Sequence, residues 1–308
     1  YRSRYAQYRT DPLLQQMHAQ CPWMLTWDDH EFDNNCANDV SEEPGIDTVD
    51  FLTRRVNAYQ AYNEMMPLRL QQMPRGSDLR LYRSAGFERV AEFLVLDTRQ
   101  YRRDQPNGDR KSPLNEAALA KSQTMLGRKQ RGWLSQKLIR SPAQWNVLAQ
   151  QVMMGLVNRS GDPDNEQYSM DQWPGYAHER MELMKFMSDR RLSNPVVLTG
   201  DIHSNWANEL RIDDRREEDA TVATEFVATS LSSGGNGRED PGNLDRILAE
   251  NPCVKFHNGE RGYIRCDVTA ERWKADFMVV DDVLNPGGRT FERKSFVVES
   301  GAARIQPA

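Results

Sequence analysis

NPVVLTGDIHSNWANEL, residues 194–210, passes from a β-branched apolar run to Gly200, Asp201 and His203 within a few residues. Val196, Val197, Leu198 and Thr199 are what a strand buried on both faces presents. Asp201 and His203 stand two apart on a sharp turn, so a carboxylate oxygen and an imidazole nitrogen can address one side of a single metal site. Taken alone, Gly-Asp after a strand is an ordinary turn, and His203 reads equally as a satisfied core histidine. The reading therefore depends on whether other strands end the same way.

Two do. VAEFLVLDTRQYR (90–102) is a β-rich run that stops at Asp97 and Arg99, and CPWMLT (21–26) reads as a short buried strand. The second delivers WDDHEFDNN (27–35), with four carboxylates, one imidazole and two carboxamides in nine positions. Adjacent carboxylates repel more strongly as water is excluded, so such a cluster sits on a wet loop or around a cation. Two strand-end clusters, each with a carboxylate and a histidine, are better explained by a shared cation.

The rest of the chain alternates strand and helix. Residues 1–20 read as helix with a restart at Asp11-Pro12, and 49–66 as a helix with Phe51, Leu52, Val56, Tyr59 and Tyr62 on one stripe, ended by Pro67. Residues 122–140 and 176–191 read as helices and 141–154 as a strand. Strand, polar strand end and helix recur, the pattern of an α/β domain around a central sheet. The runs 222–230, 262–269, 273–280 and 295–299 are β-rich with little helix between them, and antiparallel strands are expected there.

Composition narrows the function classes. The chain has 308 residues, 38% hydrophobic, with a formal charge of −5, which carries no nucleic-acid-binding signature. No apolar run approaches the length of a membrane span. Its four cysteines, Cys21, Cys36, Cys253 and Cys266, show neither CxxC spacing nor a dense disulfide framework. The chain opens at Tyr1 in what reads as the middle of a helical segment, so a fragment or processed form is expected, with no signal peptide visible.

An ordered series of segments then carries a resemblance. YRSRYAQYRTDPLLQQMHAQCPWMLTWDDHEFDNN, LDTRQYRRDQP, MLGRKQRGWL, WNVLAQQVMM, DQWPGYAHERMELM, VVLTGDIHSNWA and the later RGYIRCDVT resemble the catalytic domain of PhoD-type alkaline phosphatases, within the calcineurin-like metallophosphoesterases. The resemblance implies an α/β fold of the metallophosphoesterase type, a two-layer β-sandwich flanked by helices. It also implies that residues 1–308 form one catalytic domain whose N-terminal part is missing. The implied cofactors are iron and calcium, the implied substrates phosphate monoesters and also diesters, and the implied location extracytoplasmic.

Carried over residue by residue, the metal ligands are Asp29, Asn34 or Asn35, Asp201 and His203, with His30 as the phosphate contact and catalytic group. Asn35 is preferred over Asn34. Arg99 is a candidate phosphate contact, with a structural ion pair as the alternative, and Trp173, Tyr176 and Arg180 are candidate substrate-cleft residues, with packing as the alternative for the two aromatics. Family members use further upstream ligands, a cysteine, a tyrosine and a bridging aspartate, that have no counterpart here, and neither Cys21 nor Cys36 substitutes for them. The expected chemistry is in-line attack by a metal-activated hydroxide. The alternatives are a specialised phosphodiesterase or phospholipase-type esterase, or a non-catalytic calcium module using Glu42-Glu43 and Asp162 to Asp164. On the catalytic reading, Asp29, His30, Asp201 and His203 are expected to meet in one cleft.

Overall fold

The computed structural model describes residues 1–308 except 67, 70–72, 163 and 243. Pro67, expected to end a helix, lies outside the described residues, as does Pro163 of the Asp162 to Asp164 loop. In chain order the elements are α1 (Arg2–Tyr8), α2 (Pro12–Gln20), α3 (Thr48–Met65), β1 (Arg83–Phe87), β2 (Ala91–Val95), α4 (Gly127–Arg140), β3 (Trp145–Ala149) and α5 (Ala177–Asp189). There follow β4 (Pro195–Thr199), β5 (Asn205–Leu210), β6 (Ala223–Val227), α6 (Leu244–Glu250), β7 (Val254–Asn258), β8 (Gly262–Val268), β9 (Arg272–Val280), β10 (Thr290–Glu299) and β11 (Ile305–Pro307).

Seven strands form one sheet in the order β1-β2-β3-β4-β6-β5-β7, and four form a second in the order β11-β10-β9-β8. In the first, β2, β3, β4 and β6 run parallel, so their C-terminal ends share one edge of the sheet. The two-residue period of a strand sorts their side chains. Phe93, Val147 and Val196 are register partners on the face that meets Trp273, Ala275, Phe277 and Phe296 of the second sheet. Leu94, Leu148 and Val197, one residue further along, face α4 and α5. The chain is thus an α/β sandwich of two sheets with helices on one outer face.

The helices follow the same logic at their own period. In α4 the buried positions are Gln130, Leu134 and Leu138, four apart, and in α5 Arg180, Leu183, Met184 and Met187 form the inward stripe. The restart between α1 and α2 is a capped N-terminus, with the Asp11 carboxylate accepting from the backbone N–H of Leu13 and Leu14 and Pro12 in the first turn.

Two expectations are corrected. Residues 21–26 are extended but belong to no sheet. They cross the strand ends instead, where the Gln151 amide donates to Thr26 Oγ1 and to the Trp27 carbonyl, both at 2.8 Å, in place of a ladder. The strand β6, expected to be antiparallel throughout, is parallel to β4 and antiparallel only to β5. After His203 the chain reverses into β5.

Trp145 is fully buried between the sheets, edge-on to Trp273 at 5.9 Å, and its indole N–H donates to the Thr269 carbonyl at 2.6 Å. Trp145→Ala is expected to cost about 3–5 kcal/mol in urea denaturation, because it opens a cavity and strips a carbonyl of its donor. A loss below about 1 kcal/mol would mean that this packing does not hold the sheets together.

Candidate metal centre

WDDHEF folds as an acidic turn pinned by aromatic anchors on either side. Trp27 is buried edge-on to Tyr59 (4.8 Å) and Tyr62 (5.2 Å) of α3, and Phe32 packs on Phe51. Between the anchors the Asp29 carbonyl accepts from the N–H of Phe32 and Asp33, both at 2.9 Å, and its carboxylate accepts from the N–H of His30 (2.7 Å) and Asn35 (2.9 Å). The apolar residues thus fix where the carboxylates point, a reason for the tryptophan and phenylalanine to flank them.

At the shared C-terminal edge of the parallel strands, Arg99 follows β2 and is 1% exposed. Its Nε donates to Asp28 at 2.6 Å, Nη1 to Asp171 at 2.9 Å and Nη2 to Asp201 at 2.8 Å, with Asp29 3.5 Å from Nη2. Arg102 adds a second buried guanidinium on Asp171 at 2.7 Å and on the Asn35 carbonyl at 2.7 Å. Four carboxylates therefore share two guanidiniums in a place largely closed to water.

The charge shortage is visible in the proton affinities. Burial pushes the Asp201 carboxyl up to about 8, with Asp28, Asp171 and Asp29 adding to the rise against Arg99. Burial likewise raises Glu31 to about 7, with Asp28 adding, and Asp109 to about 7, with Asp171 adding. Asp171 goes the other way: burial would raise it, but Arg99 and Arg102 hold it at about 2.

The atoms of Asp28, Asp29 and Asp201 lie within 4.8 Å of one another, a group that could hold a metal ion. Among the described residues it is the one such group of three. Its donors are all carboxylate oxygens with surplus negative charge, which fits a hard divalent cation.

Of the residues singled out in the sequence, Asp29 and Asp201 meet at Arg99. His30 and His203 are both exposed, and neither belongs to the three-carboxylate group. Asn35 lies beside the cluster, its amide donating to Asp109 Oδ2 at 2.7 Å, whereas the exposed Asn34 amide turns to Glu42. Trp173 and Tyr176 are fully buried beneath the site, donating to Gln150 Oε1 (3.0 Å) and to the Arg103 carbonyl (2.6 Å). Arg180, also fully buried, is spent on Asp214 and the carbonyls of Met154, Arg211 and Ile212. These three face no open cleft, and the guanidinium of Arg99 is occupied by carboxylates.

Sequence reading missed Asp28, Asp171, Arg102 and Asp109 as parts of the site. Arg102 lies three residues from Arg99, and Asp171 two residues before Trp173, so both stood inside segments already singled out. Only their pairing across some seventy positions was hidden. The burial of Cys36, which pushes its thiol up to about 12, leaves it protonated beside the cluster.

The comparisons agree with this architecture. The model of the PhoD-like phosphatase family matches residues 1–277, and the chain belongs to that family. Alkaline phosphatase D of Bacillus subtilis (strain 168) is 46% identical over 299 residues, covering 97% of this chain and 51% of that protein. A solved structure of PhoD superposes with a TM-score of 0.94 at 44% identity, covering 98% of this chain and 58% of that one. The chain spans about half the length of the curated relative it matches.

Between the ordinary carboxylate value of about 4 and about 8, the folded chain binds more protons than the unfolded one at Asp201, Glu31 and Asp109, so stability falls as pH rises through that window. The depressed Asp171 contributes stability above about 4 that is lost as pH falls toward 2. Without divalent cations the melting temperature is expected to drop from pH 5 to pH 8. Added calcium should raise it more at pH 8, where the carboxylates are more fully ionised than at pH 5. A melting temperature that climbs from pH 5 to pH 8 in the presence of a chelator would contradict the raised carboxyls.

Proposed function

We propose that the chain forms the hydrolytic unit of a phosphoric ester hydrolase that acts on phosphate monoesters and also diesters. The observation that carries this reading is the buried surplus of carboxylate at the C-terminal edge of the parallel strands, gathered by Arg99, in a chain of the PhoD-like phosphatase family. Residues 1–308 act as one catalytic domain. The same family relation supports an extracytoplasmic location, which fractionation of the source cells would check.

In this reading Asp28, Asp29 and Asp201 hold a divalent cation, with Asn35 and His203 as additional ligands at the rim. A bound cation neutralises phosphoryl oxygens and lowers the pKa of an adjacent water. The chain's own contribution is positional. Asp29 accepts from the His30 N–H, and on this reading the exposed His30 side chain stabilises the phosphoryl group or protonates the leaving oxygen. Arg99 holds the carboxylates together as their shared counter-charge. The oxygen donors favour calcium, and the assignment of iron rests on the family resemblance.

Ligand and transition-state contact should fail differently. In the full-length protein, His203→Ala is expected to lower metal content and abolish hydrolysis of p-nitrophenyl phosphate together. His30→Ala should keep its metal and lose roughly two to four orders of magnitude in turnover. Elemental analysis beside steady-state kinetics reads both. Full activity in His30→Ala would remove its catalytic role, and an inactive His203→Ala with normal metal content would exchange the two roles.

A further inference from the structure

Away from the carboxylates, where β5 meets β7 at the border of the seven-stranded sheet, Lys111, Asn158, Arg159, Arg246, Glu250 and His257 line a pocket of about 230 Å3. Its charge is the opposite of the metal centre's, with three cationic side chains against one carboxylate. Arg159 is the centre of it. The guanidinium lies 5.8 Å from the centre of the Trp206 ring, and among the described residues no side chain or carbonyl accepts a hydrogen bond from it. Burial lowers its pKa, and no carboxylate offsets the cost.

The surroundings are shaped for an anion. His257 stacks on Trp206 at 3.5 Å and commits Nδ1–H to the Asn205 carbonyl at 3.2 Å. Gly161 has φ +75°, and a Cβ there would stand 2.1 Å from Arg246 Cζ, so only glycine lets that guanidinium lie against the loop. Glu250 is itself engaged, 3.9 Å from Arg246 Nε and 3.5 Å from Asn158 Nδ2. A half-buried arginine with no carboxylate partner, facing a pocket, is a side chain suited to a phosphate-type oxyanion.

The pocket also stands at the catalytic edge of the sheet. Asn205 opens β5 two residues after His203 and pairs with Asn258 at the end of β7. In the sheet order, β5 and β7 are two and three places from β4, which delivers Asp201, a lateral offset of about 10–15 Å. Two residues before Lys111, Asp109 touches Asn35 beside the metal centre, so one short segment borders both sites.

We propose that this pocket is a second oxyanion site, separate from the carboxylate cluster, that takes a phosphoryl group. The choice of phosphoryl over other oxyanions rests on the hydrolase reading above. The group is either free inorganic phosphate or a second phosphate of an extended substrate whose first phosphate occupies the metal centre.

Inorganic phosphate titrated calorimetrically into the purified chain should bind about tenfold more weakly to Arg159→Gln and to Lys111→Gln. Lys111 is exposed, so its variant keeps the test valid even if loss of the Arg159 contact with Trp206 impairs folding. Kinetics separate the two sources. If the ligand is part of the substrate, both variants raise KM for a diphosphorylated alkyl substrate about tenfold and leave p-nitrophenyl phosphate unchanged. If it is free phosphate, both KM values stay and only the phosphate affinity shifts. Lost phosphate binding in both variants of a full-length protein that hydrolyses no phosphate ester would uphold the site and overturn the hydrolase reading. Unaltered phosphate affinity in both folded variants would overturn the site, whatever the activity.

Discussion

One buried guanidinium holds this molecule's working end together. Arg99 reaches Asp28 from the acidic turn, Asp171 from the loop preceding α5 and Asp201 from the turn after β4, three segments that no strand ladder joins. Breaking such a pair by removing one partner typically costs about 3–5 kcal/mol, because the other charge stays buried without compensation. Here one cation serves several carboxylates, and that shortage raises the carboxyl groups and leaves negative charge that a bound cation would offset.

Neutral polar side chains keep this charged centre in register. The Gln151 amide accepts from Thr98 N–H (3.0 Å) and hydroxyl (2.7 Å) and donates to Trp27 and Leu96 carbonyls, so the ends of β2 and β3 and the acidic turn share one side chain. Gln130 of α4 brackets Asp97 in the same way, accepting from its N–H and donating to its carbonyl. Where strands stop and the ladder no longer satisfies the backbone, amides take over. The sheet and the site are continuous because of these two glutamines.

The sequence made the architecture legible wherever a period repeated. Val196 to Thr199, Phe93 to Val95 and the α5 stripe read correctly because each repeats the contrast between an inward and an outward face. CPWMLT misled because an apolar run reads as a buried strand, whereas Trp23 and Met24 lie exposed while Thr26 and Trp27 bond to Gln151 at the strand ends. Asp29 and Asp201 were legible from local crowding at strand ends. Asp28 and Asp171 were not, since their importance comes from sharing Arg99 with partners about seventy residues away. Trp173, Tyr176 and Arg180 invited a substrate role by their chemistry, yet all three are fully buried with their polar tips committed to protein partners.

The backbone around the metal centre bends the wrong way for ordinary residues. Asn35, Asp109, Asp201 and His203 all adopt left-handed φ values, of 45°, 58°, 67° and 54°, a conformation glycine would take with less strain. A chain selected for durability alone would drift toward glycine at such positions, and each step would remove a polar side chain from beside the carboxylate cluster. Local strain of this kind is tolerated where the surrounding structure over-determines it, and the packing of the two sheets supplies that support.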